Sequence, residues 1–451
     1  MKLIKNMTFA TLALFGAGSA YSQTNIYIAA SSGDRNATQL GISHILKSGW
    51  HYQGEKGYIT SSSGSIKLAT GSSTGAWNGT FTYNGTDYPV VIRVSFLGAL
   101  SGDAAVAGNV QQPFVHTNAD GVTYGTSAVK SATATNAVLG TDYDNATADF
   151  GFSTVFQATT PFNGSYNGVT YNSLVEEKVG VSPVGFYASP GFPSGQNLTT
   201  KLVQQLYTAG NLPLSLITGN SSDSHKYVYA LSRDTDSGQR WGLLNEIGLG
   251  NGGTITDWSP AITGTTTSAG GVVYGGTANS QAYWPAETKN GIYSPLGGGG
   301  YNGGPAIASP LTAVLGINAY QGVYTDESSN TVTLHSDATA GYYIGYLTPS
   351  DANPNVLGTA GDVPLANQGV PISFNGVALT TANVQTGKYS LWLYNRIIKR
   401  ASLTTGLVSG LHDALRDQIL NTDAAAAGSI AWDSNFLVHR DIDGGFITLG
   451  K

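Results

Sequence analysis

The 451-residue chain carries 27 acidic against 21 basic side chains, a net charge of −6 with no basic run, which argues against nucleic acid as its main partner. It contains no cysteine, which removes a disulfide scaffold, a zinc–thiolate site and thiol catalysis together. With 41% hydrophobic residues, only 11% charged ones, 60 Gly and 25 Tyr, the composition is that of a turn-rich folded chain with uncharged polar surfaces, not of a disordered one.

Taken in order, the chain opens with Lys2 and Lys5, an apolar run over residues 9–17, and small residues ending Ala20-Tyr21-Ser22 before Gln23. This reads as a secretory signal peptide over residues 1–22, too short for a membrane span, and no Cys follows that could carry a lipid anchor. The mature protein is therefore expected in the periplasm or outside the cell, with no membrane span after cleavage. Residues 25–46, NIYIAASSGDRNATQLGISHIL, read as strand, loop and helix, with Ser31-Ser32-Gly33-Asp34 where the helix begins. Those hydroxyls serve either as ordinary N-caps, through Ser32 or Asp34, or as part of a ligand site.

Residues 51–90 change to SSSGS, GSSTG and FTYNGTDYPV, in which Asn84-Gly85 between alternating flanks predicts a hairpin within a β-rich insertion. Residues 90–110 repeat the earlier design, a strand followed by Ser101-Gly102-Asp103 and a small-residue helix. ADFGFSTVFQ (residues 148–157) is a short strand ending in Ser153-Thr154, and residues 175–189 form another alternating strand behind the pair Glu176-Glu177, read as solvated. NLTTKLVQQLYTAGNLP is an amphipathic helix with Thr199 near its start and Gly210 as its stop.

Residues 227–246, YVYALSRDTDSGQRWGLLNE, read as a strand, a polar loop with one arginine, and a helix opening at Gln239. A helix N-terminus exposes unpaired N–H groups and the positive end of the helix dipole, so a loop holding Arg233, Ser237 and Gly238 in front of it suits an anion. Asp234-x-Asp236-x-Gly238 looks like a calcium loop, but the further carboxylates and closing Glu do not follow, and it reads as a solvated cap. The Gly/Ser/Thr-rich residues 248–310, with Gly297 to Gly300, suggest a long surface excursion with room for short strands. A strand over 339–352, a strand–turn–helix–strand pattern over 370–400 with Asn375-Gly376 and Gly387, and a helix over 403–420 complete the chain.

The order of these segments resembles the periplasmic phosphate-binding proteins of ABC transporters, within the type II solute-binding superfamily. NLTTKLVQQLYTAG is similar to the family's NLT helix, SRDTDSGQR to its R..GSGT loop, and FNGVALTTANVQTGKYSLWLYNR to its late NG…GKYPL segment. The likeness covers about two thirds of the mature chain. It implies an α/β, two-lobed type II periplasmic-binding-protein-like fold with β-rich insertions. The first lobe would hold residues 23–160 and 336–451, the second residues 175–335, with insertions near 51–90 and 250–305.

Carried over residue by residue, the family's phosphate loop falls on Arg233, Ser237 and Gly238, with Gln239 in place of its Thr. The first loop falls near Ser31 and Ser32, and the second helix start on Ser101 and Gly102. The family's strand-end Asp, which accepts a hydrogen bond from protonated phosphate, aligns with Ser153 or Thr154, both hydroxyls. The resemblance implies a monomeric exported protein that holds a small oxyanion, phosphate first, for an ABC transporter permease, with no cofactor and no metal. Seven scattered His, no HExxH pair and no GxSxG elbow give no support to an enzyme. The alternative is a secreted surface or matrix protein that reuses the scaffold for glycan or surface contact through its Tyr- and Gly-rich insertions.

Overall fold

A computed structural model describes residues 22–62, 71–116, 129–250, 253–263, 266–267, 273–359 and 363–450. The expected signal peptide, up to Tyr21, and the SSSGS run over 63–65 lie outside them. Two sheets organise these residues. The chain enters the first with β1 (Thr24–Ser31), α1 (Arg35–Ile45), β2 (His51–Gly54), β3 (Gly57–Thr60), β4 (Thr74–Tyr83), β5 (Thr86–Leu97), α2 (Ala99–Ala107), β6 (Phe150–Ser153) and β7 (Leu174–Pro183). It then builds the second with β8 (Gly185–Ala188), β9 (Asn197–Leu198), α3 (Thr200–Ala209), β10 (Asn211–Pro213), β11 (Lys226–Ala230), α4 (Gly238–Glu246), β12 (Ala340–Leu347) and β13 (Val370–Phe374). Strand β14 (Trp392–Arg400) and helix α5 (Gly406–Gln418) return to the first sheet.

The first sheet runs β7-β14-β6-β1-β5-β4-β2-β3, and the second β9-β13-β8-β12-β11-β10. Strand β1 pairs in parallel with both β5 and β6, whereas β14 is antiparallel to β6 and β7. In the second sheet β11 and β12 are parallel. The chain thus crosses between sheets at Val184 and again between Phe374 and Trp392. The sequence placed the return at residue 336, but β12 and β13 both pair in the second sheet.

Each sheet has its own core, which makes the molecule two-lobed. Ile26, Ile28, Ile92 and Val94 of the first are fully buried against Leu411 and Leu415 of α5. Val203, Leu206 and Tyr207 of α3 pack on Val228 and Ile344 of the second. Fully burying one such aliphatic side chain stabilises by roughly 1.5–3 kcal/mol.

Local signals act as read. Thr199 caps α3 by accepting from Leu202 N at 3.2 Å, and Gly210 ends it in the left-handed region at φ 79°. Asn84 and Gly85 take φ 49° and 76°, the turn that joins β4 to β5, so residues 51–90 extend the first sheet. The Gly-rich stretch departs from expectation in part. Trp258–Thr263 and Thr277–Tyr283 pair as short strands, mostly half-buried or exposed, but Trp258 and Gly297 to Gly300 are buried.

Candidate functional site

Strands β1, β5 and β6 run parallel, so their carboxyl ends share one edge of the first sheet, where ligands of open α/β sheets bind. Ser31 is the last residue of β1, and its Oγ accepts from Gly33 N at 3.1 Å, which turns the chain into α1. The cap is therefore Ser31, and neither Ser32 nor Asp34 acts as one. Asp34 is buried and accepts from Asn395 Nδ2, while Asn395 Oδ1 accepts from Ser182 Oγ at 2.9 Å. Burial pushes the Asp34 carboxyl up to about 7, against the opposing pull of the Asn395 hydrogen bond and Arg396.

Across the cleft, the loop after β11 carries Arg233 and leads through Ser237 into α4, which opens at Gly238, one residue before the expected start. The Arg233 side chain is 4% exposed. Its Nε donates to Tyr301 O at 3.0 Å and its Nη2 to Asn302 O at 3.3 Å, so two carbonyls past the glycine run hold the guanidinium. The approach needs glycine: Gly300 takes φ 146°, and a Cβ there would lie 2.3 Å from Arg233 O. Among the described residues no carboxylate comes within the 4.0 Å of an ion pair to Arg233. A buried cation without such a partner is costly to bury, and an anion in the cleft offsets that cost.

These segments close on a cavity of about 20 Å³, measured at the centres of water-sized spheres. It is lined by Ser31, Ser32, Thr154, Arg233, Ser237, Gly238 and Gln239, together with Gly33, Gly98, Ala99, Ser182, Thr348 and Leu393. One water needs roughly 10–15 Å³ on this measure, so the recess takes one or two oxygen-sized atoms of an anion and not a sugar. Arg233 is its one charged lining residue. Thr154 lies against the start of α4, since a Cβ on Gly238 would come 2.1 Å from Thr154 Oγ1. Gln239 is 8% exposed, and its Oε1 has no hydrogen-bond partner.

Three of the sequence-derived candidates are elsewhere. Ser153 points away from the cavity and donates to Asp103 Oδ2 at 2.9 Å, because successive residues at a strand end face opposite sides. Burial holds the Asp103 carboxyl well above its ordinary range. Gly102 faces β6, where a Cβ would meet Phe152 O at 2.4 Å. Ser101 is taken by the protein's own Asp236: Ser101 Oγ donates to Asp236 Oδ2 at 2.6 Å, and the N–H groups of Gly98 and Ser101 donate at 2.8 and 2.7 Å. The start of α2 thus holds an internal carboxylate in place of a ligand.

Two further readings need correction. Asp234 and Asp236 are not a solvated cap: Asp234 is buried and pairs with Lys289, and Asp236 joins α2. Glu176 and Glu177 are not merely solvated either, since Glu176 accepts from Gln157 N at 2.9 Å and Glu177 pairs with Arg416 at 2.7 Å. Both acidic pairs serve contacts distant in sequence, which a local pattern does not reveal. Ser182 and Thr348 were missed, although each is a hydroxyl before proline at the end of a strand, the arrangement that could have marked them.

The small cavity opens into a wider one of about 300 Å³, which shares Ser32, Gly33, Ser182, Arg233, Gln239 and Thr348 with it. Arg35, Asn36, Asn302, Ser350, Asp351 and Ser429 line the remainder. Burial raises the Asp351 carboxyl, and the nearby charge of Arg233 opposes that shift.

No protein-family model and no curated protein matches the sequence. Among solved structures, the chain is similar to a Clostridium perfringens protein described as a phosphate ABC transporter substrate-binding protein and solved with bound phosphate. The TM-score is 0.39 at 10% identity, covering 91% of this chain and 100% of that one. It is also similar to an ABC-type phosphate transport receptor from Vibrio cholerae, with TM-score 0.35, 11% identity, and 63% and 80% of the two chains covered. A phosphate-binding protein from Stenotrophomonas maltophilia gives TM-score 0.31 at 12% identity, with 92% of each chain covered. Among the described residues no helix is long and apolar enough to cross a membrane.

Proposed function

We propose that this is an exported binding protein that holds a small oxyanion, phosphate first, between its lobes and presents it to an ABC-type transporter. The observation that carries the reading is Arg233, a 4%-exposed guanidinium with no carboxylate at ion-pair distance among the described residues, in a cavity where it is the one charged lining residue. The first-turn N–H groups of α4 and the hydroxyls of Ser31, Ser32, Thr154 and Ser237 surround the same space. An oxyanion accepts from all of these donors at once, and charge-assisted hydrogen bonds of this kind bind without a metal.

The competing role, glycan or surface contact through the Tyr- and Gly-rich insertions, draws no support from Gly297 to Gly300. Those residues are buried, and the carbonyls just beyond them hold Arg233. Calorimetric titration of the anion-free protein with phosphate tests the proposal. Saturable one-to-one heat is expected in the wild type, and Arg233→Ala is expected to bind at least about a hundredfold more weakly while keeping its fold. Equal affinity in the two proteins would remove the site.

A further inference from the structure

Resting on that reading, we infer that the ligand is a hydroxylated phosphate monoester, its phosphoryl group at Arg233 and its polyol or sugar part in the adjoining cavity. The recess of about 20 Å³ takes only one or two oxygen-sized atoms of a phosphoryl group. It opens into about 300 Å³, at the lower end of the range for small-molecule sites. Beside Pro183, Pro305, Pro349 and Ala427, that larger space presents the polar side chains of Asn36, Asn302, Ser350, Asp351 and Ser429. An apolar tail would gain little there, whereas hydroxyl groups find both donors and acceptors.

The acceptors set the chemistry. Gln239 Oε1 is without a hydrogen-bond partner on a side chain more than nine-tenths buried, and it lines both spaces. Asp351 places a carboxyl in the wider cavity, where Arg233 opposes the effect of burial and Arg35 lies on the same wall. The fully ionised phosphoryl group of a monoester is all acceptor and cannot satisfy Gln239 Oε1, whereas Asp351 Oδ2 already accepts from Thr348 Oγ1 at 3.3 Å. The donor Gln239 Oε1 lacks is a hydroxyl, of the organic part in a monoester or of a protonated free phosphate, and a buried acceptor that a ligand hydroxyl satisfies discriminates strongly against analogues lacking it.

The test is calorimetry with five probes: inorganic phosphate, sulfate, glucose 6-phosphate, glycerol 3-phosphate and glucose, on the wild type and on Ser429→Trp. The Trp side chain fills the wider cavity outside the recess. Glucose 6-phosphate is expected to bind at least about tenfold more tightly than inorganic phosphate, and glucose not at all. Ser429→Trp, checked for an unchanged melting temperature, is expected to lose that advantage and keep the phosphate affinity. If glucose 6-phosphate and glycerol 3-phosphate both bind no better than inorganic phosphate, the monoester inference is overturned and the anion site stands. If no anion binds, the anion site itself fails and the inference falls with it.

Discussion

Asp236, on the loop after β11, reaches across the cleft and accepts the Ser101 hydroxyl of α2 at 2.6 Å. One carboxylate therefore ties the second lobe to the first, at a helix start that would otherwise attract an anion from solution. Asn290 Nδ2 donates to the same pair, to Ser101 Oγ and to Asp236 Oδ1, both at 2.9 Å. Trp241 of α4 extends the contact by packing into the cluster of Ala99 and Leu100.

Replacing Asp236 leaves the donors of Gly98, Ser101 and Asn290 without their acceptor. Asp236→Ala is expected to lower stability by about 2–4 kcal/mol, since each buried donor left unpaired costs about 1–3 kcal/mol and water recovers part. Added formate or acetate should raise the variant's melting temperature more than the wild type's by refilling the α2 start. Absence of both effects in thermal denaturation would mean that the contact holds nothing together.

Gly300 tests the carbonyl cradle. A Cβ at that position meets backbone atoms of Arg233, which a rotamer change cannot relieve, and φ 146° is strained for any L side chain. Gly300→Ala is expected to displace Arg233, costing about 2–4 kcal/mol of stability and most of the anion affinity. Chemical denaturation and a phosphate titration on the same sample check both effects.

The pH dependence of stability has a definite sign at Asp34. Its carboxyl is raised from 3.8 to about 7 in the folded state, mainly by burial. Between those values the unfolded chain releases a proton that the folded protein keeps, so stability present below about pH 4 is lost as pH rises toward 7. The loss is on the order of 4 kcal/mol at most. Asp34→Asn keeps an acceptor for Asn395 and should flatten that part of the stability profile, giving a variant more stable than wild type at pH 8. Parallel profiles for the two proteins would contradict the assignment.

The recess at Arg233 is lined by hydroxyls and an amide, with no carboxylate, and Asp351 stands only in the wider cavity beyond it. A carboxylate rejects a fully ionised anion and accepts from a protonated one, which is the physical basis for choosing phosphate over sulfate. Without it, inorganic phosphate and sulfate are expected to bind within about tenfold of each other between pH 5 and 8. A preference of several hundredfold in competition titrations would point to Gln239 Oε1 or Asp351 as acceptor of the phosphate proton.

Much of the frame was legible because it is written in local chemistry. The helix starts at Ser31-Ser32-Gly33 and Ser237-Gly238, the Asn84-Gly85 turn and the Thr199-to-Gly210 helix all follow from backbone rules that act over a few residues. The function of the acidic groups was not legible for the opposite reason. Asp236 and Ser101 are 135 residues apart, and Arg233 is held by a carbonyl 68 positions further on. Polar low-complexity sequence reads as surface, yet at Gly297 to Gly300 the missing side chains are what let one backbone approach another. Ser153 and Thr154 are neighbours of like chemistry, and only the pleat decides that Thr154 faces the cavity.

The central claim is that an oxyanion sits between Arg233 and the first turn of α4. Diffraction from crystals grown with arsenate, recorded at the arsenic absorption edge, locates such an ion directly. The account predicts one strong anomalous peak with arsenate oxygens about 3 Å from the Arg233 guanidinium and the Gly238 N–H. A peak elsewhere, with the Arg233 cavity unchanged, would contradict it.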